Sequence, residues 1–308
     1  MTNAEIEAFL AVCETKNISK AAERLFISQS SLSTKIKTLE REVGCVLLVR
    51  GKGQRALTLT AAGEKLHALA KQHQEIVRQM LSVGRTAPEK LRVSSLNSVG
   101  TYLMTPIYER FMQRSGGTVL EIQDLSTEQA YASLEQHLTD LAFTASCRQL
   151  RRTASAVFSE QMLFVCAESS LYPETVRLAE LDPQREIYID WFEEFVEWHQ
   201  TAFGPDALPQ VKLEIMSQLR YFLRKAENWA IVPASVAHGL MEDGAIVCRG
   251  TAFEVPQRVT YCLHLPDTFE KPAAVCFLDC VRGVLENMRE RGIPIQMADM
   301  FFEQYAKT

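Results

Sequence analysis

The sequence lacks any long apolar run and any basic leader at its start. No stretch of the 308 residues approaches the roughly 18 consecutive apolar residues that a membrane-spanning helix needs. The first ten residues, MTNAEIEAFL, contain two acids and no base, unlike a secretory signal. We therefore expect a cytoplasmic protein with no membrane partner.

The motifs of several enzyme classes are also missing. The chain contains no GxSxG, no P-loop, no dinucleotide-binding glycine pattern and no metal triad. His137, His199, His238 and His264 have no evident catalytic partner in the sequence. An enzyme is thus a disfavoured alternative, and we expect no catalytic residue, no metal and no cofactor.

The eight cysteines include no CxxC pair and no spacing to histidine that is typical of zinc sites. Free and mostly buried thiols are the default in a reducing compartment. Cys276 and Cys280 lie four residues apart on a predicted helix, where two core positions are the simplest interpretation.

Charge is distributed unevenly along the chain. Residues 1–90 contain 14 Lys and Arg against 9 Asp and Glu, whereas the remainder contains 19 against 29. A basic N-terminal segment joined to an acidic body predicts a polyanion-binding module at the front. The acidic body would repel DNA, which confines that contact to the front.

Three helices with short turns are predicted in the first 44 residues. The first runs to about Thr15, the second is KAAERLF, and the third begins after Ser28 and ends before Gly44. In the third, Leu32, Ile36, Leu39 and Val43 form one apolar stripe. Two helices joined by a tight turn in this pattern indicate a helix-turn-helix.

The polar face of the third helix begins with small hydroxyls instead of charges. Ser30, Ser33, Thr34 and Lys37 cluster opposite the apolar stripe. Ser and Thr are weak helix formers, but short hydroxyls allow close approach and can donate to phosphates or bases. On this helix alone, a solvated face and a nucleic-acid contact both remain open.

A basic hairpin is predicted directly after this helix. VLLV and ALTLT are typical of strands, and RGKGQR between them would form the tip. Arg50, Lys52 and Arg55 would then lie beside the helix, where they suit phosphates or a minor groove. A solvated loop is the alternative interpretation for Lys52 alone.

The run SKAAERLFISQSSLSTKIKTLEREVG, followed by LLVR and LTAAG, closely resembles the winged helix-turn-helix of LysR-type transcriptional regulators. This chain departs from the family pattern at two places. Ser30 stands where the family usually has Pro, and Leu48 stands where it usually has Phe; the wing also looks slightly long. Ser30 adds a donor that Pro lacks, so we expect a changed base preference.

The resemblance extends over nearly the whole chain. It implies a mainly α-helical winged helix-turn-helix, a linker helix and a two-lobed α/β effector domain like that of periplasmic binding proteins. The implied DNA-binding residues are Ser28, Gln29, Ser30, Ser33, Thr34, Lys37, Arg50, Lys52 and Arg55.

A long helix over Ala61 to about Val83 joins the two parts. A heptad seam runs along it, formed by Ala62, Leu66, Leu69, His73, Ile76, Met80 and Val83. So narrow a seam needs a partner helix, and the resemblance implies the same homodimer. His73 in the seam is interpreted as setting register, with pH sensing as the alternative.

Strands alternate with helices in the acidic body, which predicts a parallel sheet. The resulting domains are 1–60 for DNA binding, 61–85 for the linker and 90–308 for the effector. Lobe 1 is expected over about 90–165 and 266–308, and lobe 2 over about 166–265. EQMLFVCA and RVTYCLHL are predicted as two longer strands that cross between the lobes.

Small polar residues follow several predicted strands, where ligands of α/β sheets bind. Each can equally be a simple helix cap. Trp229 is interpreted either as a core residue or as a flat cleft wall, and Trp191 is similarly ambiguous. The candidate effector-binding residues are Asn97, Ser98, Gly100, Thr101, Ser126, Thr127, Thr144, Ser146, Ser217 and Trp229.

The leading hypothesis is a ligand-responsive, sequence-specific transcriptional regulator. Its helix 29–43 would enter the major groove, and a small effector would bind between the lobes, where the polar residues favour an anion. The resemblance implies promoter DNA, a homodimer or homotetramer and RNA polymerase as partners. A regulator that senses oxidants through a cysteine pair remains the alternative, although no spacing singles out a pair.

Overall fold

The computed structural model describes residues 1–50, 57–82, 89–147 and 154–305. These residues form two compact units whose boundary lies between Ser82 and Glu89. The N-terminal unit consists of helices and one hairpin, and the C-terminal unit contains helices and sheets. This architecture agrees with the predicted fold class.

Three helices open the N-terminal unit: α1 (Asn3–Thr15), α2 (Ile18–Arg24) and α3 (Gln29–Val43). Local chemistry sets the limits of α3. The Ser28 hydroxyl accepts a hydrogen bond from the Ser31 amide, which caps the first turn. Gly44 ends the helix in the left-handed conformation at φ 77°, which glycine adopts without a Cβ penalty.

The predicted apolar stripe of α3 is buried along most of its length. Leu32, Ile36 and Leu39 pack into one core with Phe9 of α1. Val43, the last predicted member, is instead exposed, because it is the final residue of the helix. The face opposite the stripe is thereby directed away from the core.

A hairpin and a long helix complete this unit: β1 (Leu48–Arg50), β2 (Leu57–Leu59) and α4 (Ala61–Ser82). One carboxylate ties α3 to the hairpin, since Glu40 accepts hydrogen bonds from the Leu47 and Leu48 amides at 2.8 and 3.3 Å. On the other side, the Thr60 hydroxyl donates to the Val46 carbonyl at 2.8 Å.

The first turn of α4 lies directly against the entry to the hairpin. A Cβ at Gly63 would lie only 2.2 Å from the Leu47 carbonyl oxygen and 3.0 Å from a Leu59 methyl. Only glycine permits this approach, so Gly63 determines how closely α4 and the hairpin pack.

The strands of the C-terminal unit are, in chain order, β3 (Lys90–Ser95), β4 (Val119–Asp124), β5 (Leu141–Thr144), β6 (Ala154–Glu160), β7 (Met162–Ala167), β8 (Thr175–Val176), β9 (Ile187–Tyr188), β10 (Val211–Lys212), β11 (Trp229–Pro233), β12 (Ile246–Thr251), β13 (Arg258–His264) and β14 (Ile295–Met297). Its helices are α5 (Asn97–Val99), continued by a π-helical turn over Gly100–Met104, α6 (Thr105–Arg114), α7 (Thr127–Glu135), α8 (Glu193–Phe203), α9 (Leu219–Leu223), α10 (Ala234–Leu240), α11 (Pro272–Glu290) and α12 (Asp299–Tyr305).

Two sheets define two lobes in this unit. The larger lobe has the strand order β14-β6-β13-β5-β3-β4, with β3 parallel to β4 and β5. The smaller lobe has the order β11-β7-β12-β8, and β9 and β10 form a separate parallel pair. Each lobe has its own apolar core.

The lobe limits differ from those expected. Strand β7 lies wholly in the smaller sheet and β13 wholly in the larger one, where it pairs with β5 and β6. The predicted crossing in EQMLFVCA is therefore confined to its first residues, because Glu160 ends β6 and Met162 begins β7, whereas the predicted crossing within RVTYCLHL is wrong. The chain changes sheet at Gln161, between β6 and β7, and again between β12 and β13. The smaller lobe therefore begins before residue 166 and ends before β13.

Gly63→Ala is expected to destabilise the N-terminal unit. Alanine is the better helix former, by about 1 kcal/mol, but its Cβ would clash with a backbone oxygen that cannot swing away. We expect a net loss of about 1–3 kcal/mol of unfolding free energy, as for an overpacked core. Calorimetry of the full chain, with hydrogen exchange to locate the loss, measures this.

The exposed neighbour provides the control, since Glu64→Ala should leave the unfolding free energy unchanged within about 0.5 kcal/mol. A Gly63→Ala chain as stable as the wild type would show that α4 and the hairpin tolerate a wider spacing.

Candidate nucleic-acid interface and ligand cleft

The hydroxyl-bearing face of α3 lies at the surface of the N-terminal unit. Ser28, Gln29, Ser30, Thr34 and Lys37 are exposed. Ser33 is half-buried at the edge of the same face. The structure thus brings together all the predicted contact residues of the helix.

Three of the hydroxyls on this face are engaged locally. The Ser28 and Ser30 hydroxyl oxygens lie 2.9 Å apart, within hydrogen-bonding distance. The Thr34 hydroxyl donates to the Ser30 carbonyl at 2.9 Å. These bonds hold the side chains against the helix and leave mainly acceptor capacity on Thr34.

The other polar side chains of the face are free. Within the described part of the chain, Gln29, Ser33 and Lys37 form no hydrogen bond or ion pair. Gln presents an amide that can bind an adenine edge in a bidentate manner, and Lys presents an ammonium group suited to guanine or phosphate. This face therefore offers donors whose hydrogen-bonding capacity is unused within the unit.

The structure places only part of the predicted wing. The backbone of Arg50 ends β1 opposite Leu57. Its side chain, together with Lys52 and Arg55, lies outside the described residues. Their contact with DNA therefore stays a prediction.

Helix α4 has an apolar face that is exposed, since no other described element of this unit packs against it. Leu66 packs against the core of the unit, whereas Leu69, Ile76 and Met80 are 52%, 50% and 68% exposed. These three positions follow the heptad spacing of the predicted seam. Val83, its last predicted member, lies outside the described residues.

A cleft of about 530 Å³ lies between the two lobes of the C-terminal unit. Five predicted effector-binding residues line it: Asn97, Ser98, Ser126, Thr127 and Ser146. They follow β3, β4 and β5, whose carboxyl ends meet at one edge of the larger sheet. Parallel strand order, not proximity in sequence, brings them together.

The other five predicted residues lie elsewhere. Gly100 packs against Ser95, whose hydroxyl oxygen would lie 2.9 Å from a Cβ at residue 100. Thr101 lines a separate surface cavity. Thr144 is buried, and its hydroxyl donates to the Ser146 carbonyl at 3.0 Å. Ser217 is exposed outside the cleft, which its neighbour Met216 lines instead.

Trp229 belongs to the core of the smaller lobe and not to the cleft wall. Its ring stacks on Phe164 with centroids 5.8 Å apart, and its indole N–H donates to the Asp182 carbonyl at 3.0 Å. Strand β11 is buried along its whole length, which leaves its first residue no route to the cleft.

The cleft also contains residues of the smaller lobe that were not predicted. They are Asp190, Glu193, Lys212 and Glu214. Trp191, which the sequence left open between a core residue and a cleft wall, lines the cleft as well. A usable signal was present in IYIDWFEEF, where β9 ends shortly before α8 begins, the same arrangement that marked the larger lobe.

A buried arginine lies beneath the cleft. Arg258, at the start of β13, is 1% exposed and donates to Glu160 at 3.0 and 2.6 Å. It also donates to the Ser98 hydroxyl at 2.9 Å, and its guanidinium lies 5.6 Å from the centre of the Trp191 ring. One side chain thus contacts both walls of the cleft.

Two family models match most of the chain. One, for bacterial regulatory helix-turn-helix proteins of the lysR family, matches residues 4–64, and the LysR substrate binding domain matches residues 85–286. The chain belongs to the LysR family. It is therefore a DNA-binding transcriptional regulator with an effector-binding domain, not an enzyme.

Full-length members of the LysR family resemble this chain along nearly all of it. The probable transcriptional regulator LrrA of Synechococcus elongatus is 26% identical, over 95% of this chain and all of that protein. CbnR in complex with its target DNA has a TM-score of 0.68 at 20% identity, covering 92% of this chain and 100% of CbnR. A cysteine variant of OxyR from Pseudomonas aeruginosa has a TM-score of 0.64 at 20% identity, covering 92% and 95% of the two chains.

Burial affects five of the eight thiols of this LysR-family chain, whereas Cys45 and Cys147 are exposed. Burial raises the pKa of Cys13 and of Cys248 to about 11, and it also raises the pKa of Cys166, Cys262 and Cys280. Such thiols are protonated and react slowly. Cys166 and Cys248 lie on adjacent strands, but they pair with Val247 and Val165 and so point to opposite faces.

Two further features are absent from the described ranges. There, no group of three His, Cys, Asp or Glu side chains is arranged to hold a metal ion. No helix in this part of the chain has both the length and the apolar composition needed to cross a membrane.

Ser30→Pro is expected to change which operator sequences are preferred. Residue 30 is in the first turn of α3, where proline fits without breaking the helix. The change removes the Ser30 hydroxyl and amide together, and with them the contact between the Ser28 and Ser30 hydroxyls. Competition binding to operators varied at single base pairs should show shifts of roughly 1–3 kcal/mol at the affected positions.

Ser30→Ala is the matched control, because it removes the hydroxyl and keeps the amide. A shift in both variants assigns the preference to the hydroxyl, and a shift in the proline variant alone assigns it to the backbone. Unchanged preference in both would mean that residue 30 does not influence base selection.

Proposed function

We propose that this LysR-family regulator binds promoter DNA as a dimer through α3 and responds to a small molecule bound between its two α/β lobes. The observation that carries the DNA assignment is the exposed face of α3, whose Gln29, Ser33 and Lys37 have no partner in the described part of the chain. A single helix fits the major groove, where such donors distinguish base pairs.

The distribution of charge along the chain supports the same DNA assignment. Residues 1–90 have an excess of five positive charges, whereas the remainder has an excess of ten negative charges. The phosphate backbone attracts the former and repels the latter. The DNA contact is therefore confined to the N-terminal unit.

Lys37→Ala and Ser33→Ala are expected to weaken binding to an operator fragment selected in vitro. Loss of a base contact should cost roughly 1–3 kcal/mol, and loss of a phosphate contact should lower the slope of log affinity against log salt by about one. Fluorescence anisotropy over a salt series measures both quantities on the full chain.

Lys71→Ala, an exposed lysine of α4, is the control and should leave affinity and slope unchanged. If Lys37→Ala and Ser33→Ala also keep wild-type affinity and slope, α3 is not the helix in the groove.

Self-association is proposed to occur through the seam of α4. Leu69, Ile76 and Met80 are at least half exposed at heptad spacing, and a second copy of α4 would cover them in the manner of a coiled coil. Assembly into a homotetramer and contact with RNA polymerase, which the resemblance implies, are further parts of the proposal.

Ile76→Glu is expected to weaken the dimer at least tenfold, because the association would bury a carboxylate without a partner. Sedimentation velocity over a range of concentrations measures this. Gln74→Glu adds the same charge at an exposed neighbour of the seam and should leave the dimer intact. Equal association of the two variants would exclude α4 as the interface.

The cleft is the proposed effector site because residues of both lobes line one concavity. A molecule that contacts both walls favours a closed arrangement of the lobes over an open one, and it shifts the equilibrium by its difference in affinity for the two. This supplies the link between binding and regulation.

A further inference from the structure

We propose that the effector carries both a carboxylate and an ammonium group, as a free amino acid does, and that each group faces a different wall of the cleft. The inference rests on the proposed function of the cleft. It narrows the anionic effector expected from the sequence to one that also bears a positive charge.

The larger lobe provides donors for the carboxylate, beginning with Ser98. This serine is 7% exposed and lines the cleft. Its oxygen accepts a hydrogen bond from the guanidinium of Arg258, which can only donate. The hydroxyl proton of Ser98 has no acceptor within the described residues, so an acceptor from a ligand would satisfy it.

The start of α7 adds donors beside Ser98. Ser126 and Thr127 both line the cleft. The oxygen of Ser126 accepts from the Gln129 amide at 3.3 Å, which leaves its own proton available. The first amides of a helix have no intrahelical acceptor, and the helix dipole adds partial positive charge there. A carboxylate suits this wall.

The smaller lobe provides the opposite chemistry. Asp190, Glu193 and Glu214 line the cleft against a single cation, Lys212, among the described residues. Asp190 and Lys212 form an ion pair. Glu193 and Glu214, both exposed, form no ion pair or hydrogen bond within the described chain, although Glu193 opens α8 and is favoured by its dipole. The smaller lobe therefore contributes two more negative than positive side chains to the lining of the cleft.

The buried Arg258 does not offset the net negative charge of the smaller lobe's wall, because Glu160 neutralises it through two hydrogen bonds. A plain anion would meet donors on one wall and repulsion from the other. A molecule with an ammonium group would be attracted by both walls, since opposite charges across a few ångströms gain energy as water is excluded.

The size and floor of the cleft suit a molecule of this class. Its volume of about 530 Å³ is within the usual range for small-molecule sites. Ile189, Leu213 and the ring of Trp191 form an apolar strip along it. An aliphatic or aromatic side chain can lie on this strip while the charged groups contact the walls.

The test is isothermal titration of the full chain with the twenty standard amino acids. Each is paired with the carboxylate that lacks its amino group and the amine that lacks its carboxyl group. We expect at least one amino acid to bind, and both of its truncated analogues to bind at least about tenfold more weakly, because each leaves one wall unpaired.

Charge-removing variants assign the two ends. Glu193→Gln and Glu214→Gln should weaken the amino acid about tenfold and leave the deaminated carboxylate unchanged or tighter. Ser98→Ala should weaken both compounds that carry a carboxylate. Glu197→Gln, on the same helix as Glu193 but outside the cleft, is the control and should change neither.

Different results would refute the zwitterionic effector and the cleft as the effector site. A deaminated carboxylate that binds as tightly as its amino acid, and more tightly still to the glutamine variants, would refute the zwitterion and leave the cleft as the effector site. Binding of an amino acid that none of the cleft variants alters would refute the cleft itself. Failure of all twenty to bind at millimolar concentration would also refute the zwitterion.

Discussion

A buried ion pair between Arg258 and Glu160 connects the two lobes of the C-terminal unit. Arg258 is almost fully excluded from solvent, and a guanidinium in that position is tolerated only when it is paired and hydrogen-bonded. Glu160 supplies the counter-charge from β6, next to the point where the chain passes to the smaller lobe, and also accepts from the Ser235 amide. The pair therefore joins both lobes and fixes the donor role of Ser98.

The N-terminal unit applies a different constraint, the close packing of α4 on the hairpin. Gly63 permits that contact, and Glu40 ties the hairpin to α3 through backbone amides. The stripe of α3 is buried by the same arrangement, so its hydroxyl face is left for a partner. Residues that form hydrogen bonds with one another hold the unit together. Residues whose donors form no hydrogen bond in the unit, such as Lys37, lie at the surface.

Local patterns predicted the helices well and the lobes less well. The limits of α3 follow from Ser28, Gly44 and a period of 3.6, all within eighteen residues of sequence. The sheet to which β13 belongs depends on pairing with β5 and β6, which lie roughly a hundred residues earlier. An alternating strand looks the same in either sheet, so its lobe was misplaced. Trp229 shows the same limit, because a core position and a cleft wall both favour an aromatic ring.

The sequence by itself determined the family, the candidate DNA-binding helix and five of the residues that line the candidate cleft. Spacing within one helix or after one strand carries that information. Only the tertiary structure decided that Glu193 and Glu214 line the same cleft as Ser98, and that Arg258 donates to Ser98 from the buried side. These residues are far apart along the chain. The effect of a charge depends on the distances to its neighbours, which only folding sets.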